Sequence, residues 1–278
     1  MNAQQAMMNV SKLCNYVGVS RQAYYQHLRR VCVRGQAERH VLEWVRSERA
    51  KNPRMGTRKL YHKLQPRLQA AGIKMGRDGL FELLRHHGLL VPPRRSRSPR
   101  TSDGAATWWK NLLRKTPIDG PNQGWVADIS YLYTIDGFCY MALISDVYSR
   151  KIIGWDVSES LELDGSLRAL NMALDGLPNG ATPIHHSDRG SQYRSRAYTE
   201  RLLGCGCSIS MTEIDHCAEN AQAERINGIL KGEYYLDVVF IDIHQATKAV
   251  QTAIHLYNNE RPHLSLNYQL PERVHQAA

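Results

Sequence analysis

Apolar residues change their spacing once along the chain, near Gly124. Before it they recur every three or four residues, the period of amphipathic helices; after it they alternate, the period of strands. Val10, Leu13 and Val17 mark a short helix that meets Gly18, and Ser20 is placed to cap a second helix. Tyr24, Tyr25 and Leu28 are the core face expected of that second helix. ERHVLEWVRSERA (38–50) predicts another amphipathic helix, broken by Pro53 to Gly56. TRKLYHKLQPRLQAAG (57–72) predicts the next, bent at Pro66, and GRDGLFELLRHHGLL (76–90) a third, ended by Gly88 and Pro92. The stretch VPPRRSRSPRTSDGAAT (91–107) has no apolar period and reads as a linker, with TWWKNLLRK (107–115) as a short bridging helix.

Beyond Gly124 the pattern predicts a strand at GWVADISYLYTI, a turn at Ile135–Gly137, a second strand at FCYMALISDV and a third at IIGWDVSES. A helix over Asp164–Leu174, a short strand at TPIHHS, a helix over Ser195–Leu203 and a strand over Ser208–Met211 follow. Two longer helices are expected over Asn220–Tyr235 and His244–Asn259. Antiparallel strands followed by helix–strand units imply an α/β fold with a mixed sheet. The expected domains are a helix-turn-helix-like segment (1–36), a second helical DNA-binding module (37–91), a basic linker with bridging helix (92–122) and a catalytic core (123–278).

Charge sharpens this division. Residues 1–124 hold 24 basic and 7 acidic side chains, a balance of +17, whereas residues 125–278 balance at −7. A basic front half beside an acidic back half points to nucleic-acid binding followed by a different task; a merely solvated basic surface is the alternative. Arg21 and Gln22 open the second helix and are residue types that reach phosphates or base edges from a helix N-terminus. Arg94, Arg95, Arg97 and Arg100 in the linker suit a DNA backbone or a narrow minor groove, or else serve as a solubilising tether. The six cysteines form no CxxC pair and are expected as reduced thiols. A zinc cluster of Cys205, Cys207, His216 and Cys217 has poor spacing beside the alternative of small buried thiols. No run approaches the ~20 apolar residues that span a bilayer, and MNAQQAMMNV does not read as a secretion signal; a soluble, cytosolic protein is expected.

Three carboxylates carry the candidate chemistry. Asp128 falls mid-strand on the face shared by Val126 and Ser130, where an ionised group is unfavourable unless a cation or salt bridge offsets it. Asp188, in PIHHSDRGSQY, fits three roles by its local sequence: a turn residue, a neighbour of a zinc site or a catalytic ligand. Two carboxylates brought together at one sheet edge would repel without a cation between them. On the helix CAENAQAERINGILKGEY, Asn220, Glu224, Asn227 and Lys231 form one polar stripe, and 35 residues separate Asp188 from Glu224.

That spacing, with Lys231 seven residues after the Glu, resembles the catalytic core of retroviral integrases and DDE transposases. W-V-x-D-I at 125–129, H-S-D-R-G-S-Q-Y at 186–193, E-N-A-x-A-E-R-I-N-G-I-L-K-x-E at 219–233 and Y-N-N-E-R-P-H-L-S-L at 257–266 are similar to the second-frame (OrfB) protein of bacterial insertion sequences. V-S-R-Q-A-Y-Y at 19–25 and G-T-R-K-L at 56–60 match its front half. The resemblance implies a ribonuclease-H-like fold and a polynucleotidyl transferase that cleaves and joins DNA strands. It further implies Asp128, Asp188 and Glu224 as catalytic residues and ligands of Mg²⁺ or Mn²⁺, two ions per site. Asn227 and Lys231 are then expected to touch DNA. Implied partners are double-stranded DNA, further copies of the chain and an upstream-frame protein. A DNA-binding repressor with an inert core and a nuclease that cuts without joining are the alternatives. Glu219 stands where many relatives carry Asp and is not expected as a ligand; Asp136 reads as a turn residue, Asp146 as structural and His186 as a strand-end packing residue rather than a base.

Overall fold

The computed structural model describes residues 10–92, 109–213 and 219–277. The chain divides into two compact units, one of residues 1–50 and 60–90, the other of residues 51–59 and 91–278.

The first unit is helical. Helix α1 spans Val10–Val17, α2 spans Arg21–Lys51, α3 spans Thr57–Ala70 and α4 spans Arg77–His86. Gly18 turns the chain at φ 74°, a left-handed conformation that glycine adopts without strain, and Ser20 Oγ accepts the Ala23 N–H at 3.1 Å to cap α2. Val41, Leu42 and Val45 of α2, Leu60, Leu64 and Leu68 of α3 and Leu80, Leu83 and Leu84 of α4 are buried, at the i, i+3 and i+4 spacings that keep one helix face apolar. Glu48, also buried, receives Lys63 at 2.8 Å and Arg67 at 3.5 Å.

Three expectations need correcting here. Helix α2 runs unbroken for 31 residues, through the expected boundary between residues 36 and 37. Gly35 is the weakest helix former between the two periodic segments, and a single glycine costs only about 1 kcal/mol against alanine. Tyr25 and Leu28 are exposed rather than turned to a core. A 31-residue helix is roughly 46 Å long, more than the 14 residues of α3 and the 10 of α4 can cover. Trp109–Lys115 forms bends and turns in place of a bridging helix. Asn111 Oδ1 takes the Arg114 N–H at 3.2 Å, Ser210 Oγ takes the Leu112 N–H at 2.8 Å and Met211 N donates to Lys110 O, so this stretch is tied along a sheet strand.

The second unit is built on one mixed sheet. Strands β1 (Gly124–Thr134), β2 (Gly137–Asp146) and β3 (Ile152–Ser158) form an antiparallel meander, while β4 (Ile184–Ser187) and β5 (Ser208–Met211) extend it in parallel on the other side of β1, in the order β3-β2-β1-β4-β5. The two-residue strand β6 (Val239–Phe240) pairs with the far end of β1. The connections are α5 (Leu163–Asp175), α6 (Ser191–Arg194) and α7 (Arg196–Gly204), then α8 (Ala221–Glu233), α9 (Ile243–Glu260) and α10 (Pro271–Gln276).

Both sheet faces are covered. Trp125, Ala127, Ala142, Ile144 and Ile209 meet Ala169 and Leu170 of α5 and Tyr198 and Leu202 of α7. Leu132, Met141, Leu143 and Ile152 meet Ile226 and Leu230 of α8 and Val250, Ile254 and Tyr257 of α9. Alternation along β1 therefore gives odd positions to α5 and α7 and even positions, Asp128 among them, to α8 and α9. At Gly154 a Cβ would lie 2.2 Å from the Ala169 carbonyl, so the backbones of β3 and α5 touch where no side chain fits. This plan is the ribonuclease-H-like arrangement that the resemblance implies.

Candidate active site

The sheet register brings the two aspartates together. Val126 of β1 pairs in parallel with His186 of β4. Two residues further along each chain stand Asp128, still inside β1, and Asp188, just past the end of β4. Asp188 Oδ1 accepts the Gly190 N–H at 2.9 Å, so the aspartate also shapes its own turn. The turn role and the ligand role, alternatives in the local sequence, are compatible in this geometry.

Helix α8 supplies the third carboxylate, and a set of bonds fixes where it starts. Asn220 Nδ2 donates to Ala127 O at 3.1 Å, pinning the helix beside Asp128. Gln222 Nε2 donates to Asp146 O at 3.3 Å, and Gln222 Oε1 accepts from Arg150 Nη1. Arg189 Nε donates to Thr212 O at 2.8 Å, and its Nη2 to Glu213 O, while Glu219 accepts the Glu213 N–H. Glu219 thereby ties the start of α8 to the loop after β5. Glu224 lies exposed in the first turn of α8, and Asn227 is buried with its Nδ2 donating to Asp128 Oδ2 at 2.7 Å.

Asp188 and Glu224 lie near enough for their charges to act on Asp128. Burial and then the Asp188 charge push the Asp128 carboxyl up to about 7; the Asn227 bond pulls the other way, and Glu224 adds to the rise. Some of the Asp128 surface remains open, but its carboxyl is set among protein groups that cannot replace water. Among the described residues, no three His, Cys, Asp or Glu side chains converge closely enough to hold a metal ion in the conformation seen. An anionic set with a raised pKa is nonetheless the donor chemistry that a hard divalent cation relieves.

The remaining titratable groups have other employment. His186 is fully buried, shares a 2.8 Å bond between Nδ1 and Ser210 Oγ, and is held toward its neutral form by burial. His185 Nε2 bonds Tyr198 Oη at 3.0 Å, and burial lowers its pKa to about 3. Asp146 is buried and accepts from Ser149 N at 2.7 Å and Asn122 N at 2.8 Å, a structural knot at the end of β2. Asp136 sits in the β1–β2 turn. Cys207 is buried and Cys205 half-buried, both free thiols; His216 and Cys217 lie outside the described residues.

Residues 119–217 match an integrase core domain family, and residues 205–271 match a second family of the same description. The HTLV-2 integrase catalytic core domain in complex with magnesium aligns with 57% of this chain and 99% of its own at 17% identity and a TM-score of 0.46. The IS600 uncharacterized 31 kDa protein of Shigella sonnei is 34% identical over 275 residues, covering 96% of this chain and 100% of that one. The transposase for insertion sequence element IS629, also from Shigella sonnei, is 32% identical over 276 residues, covering 96% of this chain and 92% of its own. The chain belongs to the insertion-sequence transposases. 

In this transposase the Y-N-N-E-R-P-H segment, whose physics the sequence leaves unread, closes the core. Asn258 brackets Ile152 of β3, accepting its N–H at 3.0 Å and donating to its carbonyl at 2.9 Å. Tyr257 Oη donates to Arg150 O at 3.1 Å. Arg261, 3% exposed, grips both oxygens of Glu233 at 2.9 and 2.8 Å and bonds His263 Nε2 at 2.7 Å. Glu233 ends the motif that contains Glu224, so the two motifs meet through this ion pair; only the tertiary fold reveals it.

The expected DNA contacts divide four ways. Arg21 and Gln22 are exposed at the start of α2. Lys231 is half-buried, two turns along α8 from Glu224. Asn227 instead faces Asp128. Asn220 and Asn227 of the polar stripe both bond β1, while Glu224 is exposed and Lys231 half-buried. Arg94, Arg95, Arg97 and Arg100 lie outside the described residues. No described helix is long and apolar enough to cross a membrane.

Proposed function

We propose that this transposase cleaves the phosphodiester at each end of its element and joins the freed 3′-OH to a target phosphodiester, using Asp128, Asp188 and Glu224 as ligands of Mg²⁺ or Mn²⁺. The observation that carries the reading is the placement of Asp128 and Asp188 two residues beyond a parallel register pair, with Glu224 close enough to add to the upward shift of Asp128. Bound divalent cations would supply an activated water and stabilise charge on the phosphate and leaving oxygen. The chain's own residues set the stage. Asn227 holds the Asp128 carboxylate in one orientation, and Asn220 fixes the start of α8 against β1 so that Glu224 comes from the helix's first turn. The Gly190 N–H fixes one oxygen of Asp188. His186, buried and bonded through Nδ1 to Ser210 Oγ, packs the end of β4 in this reading.

Double-stranded DNA is the substrate in this reading. Arg21 and Gln22, the linker arginines and Lys231 supply backbone contacts, and Asn227 is reassigned to positioning Asp128. Further copies of the chain, and an upstream-frame protein, assemble with it on DNA in the cytosol. The test is incubation of the full chain with Mg²⁺ and labelled element-end DNA, scoring cleaved and joined products. Both products are expected. Cleavage without joining would identify a nuclease, and DNA binding without either product a repressor with an inert core.

A further inference from the structure

Arg150, in the turn between β2 and β3, has a left-handed backbone at φ 64°. Glycine adopts that conformation without strain, whereas a residue with a Cβ is strained there. The mechanism above uses neither this arginine nor Gln222, the residue its side chain meets.

The backbone of the turn is fixed without that side chain. Arg150 N donates to Asp146 O at 3.0 Å, and Asp146 N donates to Lys151 O at 2.8 Å. Asp146 accepts from Ser149 N and Asn122 N, Ser149 Oγ bonds His275 Nδ1 at 3.0 Å, and Lys151 Nζ donates to Glu272 at 2.9 Å. Tyr257 Oη donates to Arg150 O. Bonds from β2, α9 and α10 thus make the turn a firm base from which the guanidinium projects.

The guanidinium goes to α8. Arg150 Nη1 donates to Gln222 Oε1, and Gln222 Nε2 donates to the Asp146 and Val147 carbonyls at 3.3 and 3.4 Å. Both ends of one half-buried amide therefore grip the turn. Gln222 stands two residues before Glu224, about 200° round the helix, while Asn227 lies within about 60° of Glu224. Helix α8 is held from two sides: Asn220 and Asn227 bond β1, and Gln222 bonds the turn. Attachment on one side leaves a helix free to roll about its axis; attachment on two sides fixes the roll. A roll of about 10° carries a side-chain tip about 5–6 Å from the axis through about 1 Å. A misplacement of about 1 Å at a reacting centre costs about 100-fold in rate.

We infer that Arg150 and Gln222 are positioning residues for strand transfer: their bond sets the rotation of α8, and with it the approach of the Glu224 carboxylate to Asp128 and Asp188. The inference rests on the proposed role of Glu224 as a metal ligand.

The test uses the full chain as wild type, Arg150→Gly, Arg150→Lys, Gln222→Met, the double variant of Arg150→Gly with Gln222→Met, and Glu224→Gln. Mn²⁺ alone is titrated and followed by electron paramagnetic resonance. Joining and binding of labelled element-end DNA are measured separately, and thermal melts report folding. Glycine relieves the backbone at position 150, and methionine keeps the length and helix preference of glutamine, so both single variants should melt close to wild type. Each should weaken Mn²⁺ binding about 10-fold and slow joining about 10- to 100-fold, with DNA affinity kept. The double variant should match the worse single variant, since the two residues form one link. Arg150→Lys keeps a donor and should recover most of the rate. Wild-type Mn²⁺ affinity and joining in the folded variants would overturn the inference, even if their melting temperatures fall. DNA affinity lost with Mn²⁺ binding unchanged would also overturn it, by making Arg150 a DNA contact. Mn²⁺ bound equally by wild type and Glu224→Gln would instead overturn the ligand role of Glu224, and the inference with it.

Discussion

Asp128 bonds α8 through Asn227 and Glu233 ends that helix, and the surroundings of the two carboxylates are opposite. Burial would raise the pKa of both. At Glu233 the two bonds from Arg261, with Lys59 beside them, outweigh burial and hold the carboxyl below the usual range. At Asp128 the neighbours are Asp188 and Glu224, and the carboxyl is pushed up to about 7, with only the Asn227 bond opposing. One site is electrostatically complete within the chain and works as a clasp between α8 and the segment after α9. The other is electrostatically incomplete, and there the proposed divalent cations would act.

The contrast can be broken at either carboxylate. Asp128→Asn, Asp188→Asn and Glu224→Gln should each lower strand joining at least about a thousandfold, near 4 kcal/mol of activation free energy, while DNA binding survives. Quantitative joining assays on the three variants check this, and one near-wild-type variant would remove its residue from the site. Glu233→Gln should instead destabilise the fold, by about 2–4 kcal/mol, because it strands the buried Arg261; the denaturant midpoint reads the loss.

Asp128→Asn should have the reverse sign in the metal-free protein. A carboxyl raised to about 7 from an ordinary value near 4 opposes folding when ionised. That penalty is absent below about pH 4, grows as pH rises and is complete above about pH 7. The variant should therefore be more stable than wild type by about 1–3 kcal/mol at pH 8, with the advantage gone at pH 4. Thermal melts across pH would reveal it, and an unchanged difference between the two pH values would show that Asp128 carries no such penalty. Lys231→Ala should give the smallest effect, weakening DNA binding by about 1–2 kcal/mol without altering the Mg²⁺ requirement. Separate titrations of DNA and Mg²⁺ distinguish a phosphate contact from a metal effect.

The catalytic half was legible where one periodicity governs one element. The strands from Gly124 to Ser158, the short strand over Ser208–Met211 and the helix holding Glu224 fall where alternation and helical spacing put them. Local pattern was insufficient where a partner decides. Tyr25 and Leu28 have the spacing of a core face, but no described element covers that part of α2. Trp109–Lys115 has helical composition, yet Ser210 and Met211 draw its backbone along β5. Asn227 belongs to a polar stripe and was expected at the DNA; its burial against Asp128 depends on a strand 99 residues away. The Arg261–Glu233 clasp is equally long-range, and no spacing rule anticipates it.

The most direct measurement of the central claim is a strand-joining reaction of the full chain with Mg²⁺, labelled element-end DNA and an unlabelled target, run beside Asp188→Asn. The account predicts cleaved ends and joined products from the wild type, and neither from the variant although it binds the same DNA. Joined products from Asp188→Asn at the wild-type rate, or a wild type whose products are only cleaved ends, would contradict it.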